Sequence, residues 1–117
     1  MSAYTRLFLS MLPLVLALEL PVYALLAPEG RRGRVMGAAL LGNALSYPLL
    51  WFGWVRVMSP HLAVVSGEAS AVLIEGLMLT LVGVRPLRAL STAALVNAYS
   101  WAVGEWIFRL VLPRVAP

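Results

Sequence analysis

Four polar residues set the chemistry open to this chain: Glu19, Asn43, Glu75 and Asn97. Each stands in a mostly apolar run. A carboxylate in hydrocarbon is expensive, about 2.5–3.5 kcal/mol on insertion scales, so an acid kept there has a partner or a task. Two such acids side by side do not both stay ionised without a cation or a basic group. The pair can therefore share a proton, hold a metal or other cation, or face water. Asparagine suits each case, because its amide offers two donors and a carbonyl acceptor.

These residues belong to one pattern written twice. Leu18-Glu19-Leu20, arginines at 31, 32 and 34, and Asn43-Ala44-Leu45-Ser46-Tyr47 form the first copy. Ile74-Glu75-Gly76, Arg85, Arg88 and Asn97-Ala98-Tyr99-Ser100-Trp101 form the second. Between 34–47 and 88–101 the register is ungapped, with Arg, Ala, Leu, Asn, Ala and Ser recurring before an aromatic. Each copy reads as an apolar helix with one acid, a basic turn, and an apolar helix with one Asn and one Ser. A repeat unit of two helices keeps the same orientation in both copies, so an axis along the membrane normal relates them.

That axis fixes depth. Arg34 to Asn43 and Arg88 to Asn97 are equal steps, about 13.5 Å of helix. Glu19 and Glu75 lie about 15–18 Å from Arg31 and Arg85. All four polar residues are thus expected in one layer near the bilayer centre, as an ion- or proton-binding set. Glu68 falls two helical turns before Glu75, and Glu105 about two turns after Asn97, on nearly the same faces. With Ser46 and Ser100 they are read as an access path from the surface opposite the basic turns. The first-copy counterparts of Glu68 and Glu105 are Leu12 and Trp51, so this outer layer breaks the symmetry. Arg109 stands four residues after Glu105, a spacing that pairs them.

The elements that must position these groups are four apolar helices, expected at about 7–27, 35–55, 62–84 and 90–112. Each run has roughly the 20 residues needed to span a bilayer. Pro13 and Pro21 are expected to kink the first helix, and Pro48 to open the hydrogen-bond ladder of the second. Gly37, Ala38, Ala39 and Gly42, and again Ser66, Gly67, Ala69, Ser70 and Ala71, are small-residue faces for close packing. Tyr47, Trp51, Trp54, Trp101 and Trp106 are read as anchors at the membrane surface. A basic start before an apolar run also fits a leader peptide, but the length of the run, Glu19 and the repeat favour a span.

Composition agrees with a bilayer. The chain has 117 residues, 62% of them hydrophobic and 12% charged, against about 25% charged in a soluble domain. The basic residues are all arginine, in short clusters at helix ends, which gives no case for nucleic acid. No cysteine is present, which excludes disulfides and thiolate metal sites. There is one histidine, His61, and no Glu-x-x-His pair, so neither zinc, haem nor a helix-borne di-iron centre is supported. No Gly-rich phosphate loop or Ser/His/Asp set is visible. No cofactor is implied.

The expectation is an all-α, four-helix transmembrane bundle. It forms a single domain over 1–117, with repeat 1 at about 7–55 and repeat 2 at about 62–112. Its place is the cytoplasmic membrane of a prokaryote. The turns 31–34 and 85–88 hold five arginines against Arg6, Arg56, Arg109 and Arg114 on the other side, which puts the basic turns in the cytoplasm. The expected partners are the lipid bilayer and either further copies of the chain or other membrane subunits. The leading function is a small transporter or channel component for a cation, a proton or a cation-coupled solute. The rival is an accessory subunit whose polar core only specifies packing. An enzyme acting on a lipid or quinone is disfavoured by the missing nucleophile and metal set.

Overall fold

Helix boundaries follow capping and turn residues rather than the ends of the apolar runs. The structure is a computed structural model that describes residues 1–115, with side chains as far as residue 110 except Tyr4. Helix α1 (Ala3–Leu26) starts after Ser2, whose hydroxyl accepts the Thr5 N–H at 3.1 Å. This satisfies one of the free donors of a helix start. The helix runs on through Pro13 and Pro21, which both lie at exposed positions. It stops at Ala27, held extended at φ −63°, ψ 141°, as the residue before Pro28 must be.

Helix α2 spans Arg32–Val57. It is α-helical over Arg32–Pro48, widens to a π-helix over Leu49–Trp54, and closes with Val55–Val57. Proline has no N–H to give to the preceding turn, and the ladder changes register directly after Pro48. The Val55 N–H then reaches back five residues to the Leu50 carbonyl. The opening expected at Pro48 is present.

Helix α3 (Pro60–Leu81) has proline in its first turn, where a missing donor costs nothing. Helix α4 (Pro86–Val115) begins on proline in the same way. Gly83 ends α3 at φ +94°. Its N–H bonds to the Thr80 carbonyl at 3.0 Å, and the Val84 N–H to the Leu79 carbonyl at 3.0 Å. This is a Schellman closure, and the Leu79–Val84 pair that accompanies it is buried in the core. The four helices therefore start two to four residues before the apolar runs, and α3 ends earlier than expected at Leu81.

Three helical stretches are long and apolar enough to cross a membrane: Thr5–Leu26, Arg32–Val57 and Pro60–Leu81. Helix α4 has 30 residues, but Asn97, Ser100, Glu105 and Arg109 dilute its apolar character. Each helix packs on the next, and α1 packs on α4. The ring is that of an up-down-up-down bundle, with extents of 48 × 29 × 24 Å. Close approach depends on glycine. A Cβ at Gly42 of α2 would lie 2.7 Å from Glu75 Cγ and 3.2 Å from Glu75 Cα of α3. A Cβ at Gly76 would lie 2.8 Å from Leu90 Cδ2 of α4.

The basic turns also fasten the bundle. Arg32 Nε donates to the Ala24 carbonyl at 3.1 Å, and Arg88 Nη2 to the Leu26 carbonyl at 3.3 Å. Arg31 Nη1 donates to the Gly83 carbonyl. Helix C-termini leave carbonyls without partners, and arginine there satisfies them and the helix dipole. Two of these bonds join the first turn region to the second. Arg114, counted above for orientation, lies beyond the described side chains.

Candidate functional site

Every one of the four helices brings a polar side chain to the bundle axis. Glu19 comes from α1, Asn43 from α2, Glu75 from α3 and Asn97 from α4, and all four are buried. They meet in one hydrogen-bonded cluster. Asn43 Nδ2 donates to Glu19 Oε2 at 2.8 Å and to Glu75 Oε1 at 2.7 Å. Asn97 Nδ2 donates to Glu75 Oε2. Ser100 Oγ donates to Glu19 Oε1 at 2.6 Å. Both asparagines also donate to the carbonyl four residues back, Ala39 at 3.1 Å and Ala93 at 2.8 Å. The Asn43 amide thus bridges the two carboxyl groups.

Every donor to the carboxyl oxygens is neutral. The salt bridge among the described residues is Arg109 to Glu105, at 2.9 Å on the exposed surface. The Glu19–Glu75 pair thus carries no arginine. All four carboxyl oxygens accept a bond, and no described donor reaches the Oδ1 of either asparagine. Tyr23, one helical turn beyond Glu19, is fully buried. Its hydroxyl approaches Glu75 without reaching hydrogen-bonding geometry.

The cluster is open on one side. A cavity of about 420 Å³ leads to it from the end opposite the basic turns. Glu19, Asn43, Asn97 and Ser100 lie on its inner part, while Leu7, Val64 and Phe108 come from the helix ends at its mouth. Glu75 does not line it and is 0% exposed, behind the other three. Toward the basic turns the bundle is packed with Tyr23, Val35, Ala39, Leu79, Ala89 and Val96. Access is therefore one-sided.

Of the eight residues singled out from the sequence, seven line the cavity, and Glu75 joins them through its bonds to Asn43 and Asn97. Ser46, Ser100, Glu68 and Glu105 line the cavity. Ser100 bonds Glu19, whereas Ser46 is buried beside the cavity without reaching either carboxyl. Glu68 is half-buried on the wall, and Glu105 is exposed and paired. No group of three or more His, Cys, Asp or Glu among the described residues is arranged to hold a metal ion.

Several of the aromatic residues read as surface anchors also line the cavity or pack inside the bundle. Tyr47, Trp51 and Trp101 line the cavity. Phe8 of α1 packs against Tyr47, Trp51 and Phe52, with ring centroids 5.4, 6.1 and 5.0 Å apart. Trp54 Nε1 donates to Ser70 Oγ on α3 at 3.0 Å. Trp106 does face outward, at 63% exposure. The wall positions were readable: Tyr47 and Trp51 fall four and eight residues after Asn43, and Trp101 four after Asn97. Those steps keep one helix face. The apolar wall from α1, with Leu7, Met11 and Leu14, carries no such signal, since all of α1 is apolar.

In comparisons with protein-family models, curated proteins and solved structures, nothing matches this chain.

Proposed function

We propose that this protein is a small four-span membrane protein that binds a cation, or exchanges a proton, at the Glu19–Glu75 pair. On this reading it works as a transporter or channel component. The observation that carries the reading is a carboxyl pair bonded by neutral donors alone, at the inner end of a one-sided cavity. A pair held only for packing needs no opening to the surface. An opening on one side with a packed core on the other is the arrangement of an alternating-access or gated pathway caught closed at one end.

Within this proposal Glu19 is the group that meets the ion, and Glu75 is its inner partner. Asn43 and Asn97 hold both carboxyls by their amide N–H groups and keep their carbonyl oxygens for a cation. Glu68, Ser46 and Ser100 lie along the approach. Helix α4 is the fourth span, and the two helical hairpins are copies of one unit. The matched bonds of Asn43 and Asn97 to an acid and to the carbonyl four residues back agree with that relation. The basic turns face the cytoplasm of a prokaryotic cell, the cavity opens outward, and further copies or other membrane subunits cover the apolar outer faces.

The test is flux in liposomes. Glu19→Gln and Glu75→Gln are expected to keep the helical fold and to abolish cation or proton movement. Wild-type flux no greater than that of empty liposomes, or unchanged flux in both variants, contradicts the reading. One observation favours the accessory-subunit alternative: every oxygen of both carboxyls already accepts a hydrogen bond. That alternative predicts that Gln is tolerated at both positions, while leucine at Asn43 or Asn97 breaks assembly.

A further inference from the structure

The walls of the cavity say more about its occupant than the acids alone. We propose that it takes an amphiphilic organic cation, with an ammonium-type head at Glu19 and an apolar or aromatic body against the walls. This rests on the reading of Glu19 as a cation site and names the class of cation.

Three features lead there. First, the size of about 420 Å³ falls in the range of sites for small organic molecules, about 300–1,000 Å³. A bare or hydrated metal ion would leave most of it filled with water against apolar walls. Second, the wall is apolar and aromatic, with Met11, Leu14, Tyr47, Trp51, Trp101 and Phe108 around it. Aromatic faces attract cations while also packing against hydrocarbon. Third, charge is one-signed. Glu19, Glu68 and Glu105 line the space and no arginine or histidine does. A neutral lipid tail would fit the walls but leave Glu19 and Glu68 without a counter-charge, and an anion would meet these two carboxyls, Glu105 being paired with Arg109. Only a group with one positive end and an apolar remainder matches both the floor and the walls. The polar partners that meet its head are Glu19 and the Asn43 and Asn97 amide oxygens, while Ser100 is already spent on Glu19.

The experiment is isothermal titration calorimetry of the full chain in lipid nanodiscs, with empty nanodiscs subtracted. The probes are benzyltrimethylammonium and its neutral carbon isostere, neopentylbenzene. The expected result is saturable binding of the cation and none of the isostere. Glu19→Gln is expected to weaken cation binding about tenfold or more, and Trp101→Leu, on the wall, by about threefold to tenfold. Circular dichroism and gel filtration establish that each variant is folded. Should Glu19→Gln fail to fold, the cation–isostere pair on the wild type and Trp101→Leu still decide. Equal binding of the isostere overturns the proposal, because the acids then play no part. No binding of the organic cation, with a carboxyl that an inorganic cation protects from carbodiimide, overturns it and leaves the cation site standing. No binding and no protection remove both.

Discussion

Substituting alanine for glycine at two places on α2 separates packing from helix propensity. Gly37 is exposed, and a Cβ there meets nothing within 4 Å. Gly42 lies about a turn and a half further on, and a Cβ there falls 2.7 Å from Glu75 Cγ and 3.2 Å from Glu75 Cα. Carbon atoms pack at about 3.5–4.0 Å. The second of these neighbours is backbone, so α2 and α3 must move apart. Glu75 cannot swing aside, because Asn43 and Asn97 hold its carboxyl. Both substitutions gain the same helix propensity, about 0.5–1 kcal/mol. The difference between them is therefore the overpacking term alone, about 1–3 kcal/mol. Gly37→Ala is expected to be neutral or stabilising, and Gly42→Ala to be less stable than Gly37→Ala by that amount. Reversible unfolding by sodium dodecyl sulfate in mixed micelles, followed by circular dichroism, gives the comparison. Equal stabilities, or Gly42→Ala the more stable, would refute the close approach of α2 to α3 at Glu75.

Other side chains give sharper contrasts. Asn43→Leu removes two interhelical bonds to carboxyls. At about 0.6 and at most about 1.7 kcal/mol each in membranes, the expected loss is about 1–3 kcal/mol in the same unfolding assay; a loss below about 0.5 kcal/mol contradicts it. Ser100→Ala is expected to destabilise and Ser46→Ala to change little, although the two serines hold matching sequence positions, because Ser100 alone bonds a carboxyl. Tyr23→Phe removes a buried hydroxyl without a hydrogen bond, so stability is expected to stay level or rise; a loss above about 1 kcal/mol would mean that the hydroxyl has a partner in the membrane. Gly83→Ala forces a side chain to φ +94° and into the Arg31 guanidinium, and is expected to cost about 1–2 kcal/mol from the backbone alone.

The polar layer was legible because it breaks an apolar background. Glu19, Asn43, Glu75 and Asn97 are rare residues in their helices, and a rise of about 1.5 Å per residue from the arginine turns is enough to level them. The one-sidedness of access was legible in part, since Glu68 and Glu105 both lie away from the basic turns. Helix ends were less so. The apolar run reports contact with lipid or core, whereas Ser2, Pro60 and Pro86 start helices through capping and fixed backbone geometry. The bonding partners of the serines were not legible, since Ser46 and Ser100 stand in matching local sequence. Which of them meets a carboxyl depends on how four helices rotate against one another. The arginines read as orientation signals turned out to bond the last carbonyls of α1 and the Gly83 turn. That role depends on tertiary contacts that local sequence does not record.

Carbodiimide labelling in lipid, with the modified residue located by mass spectrometry, tests the cation or proton site. The reagent attacks protonated carboxyls in apolar surroundings. Glu19 lines the cavity and Glu75 does not. The account predicts labelling at Glu19 ahead of Glu75, and protection of Glu19 by the cation that the protein binds. Labelling of Glu75 ahead of Glu19, or labelling of Glu19 that no inorganic or organic cation alters, would contradict it.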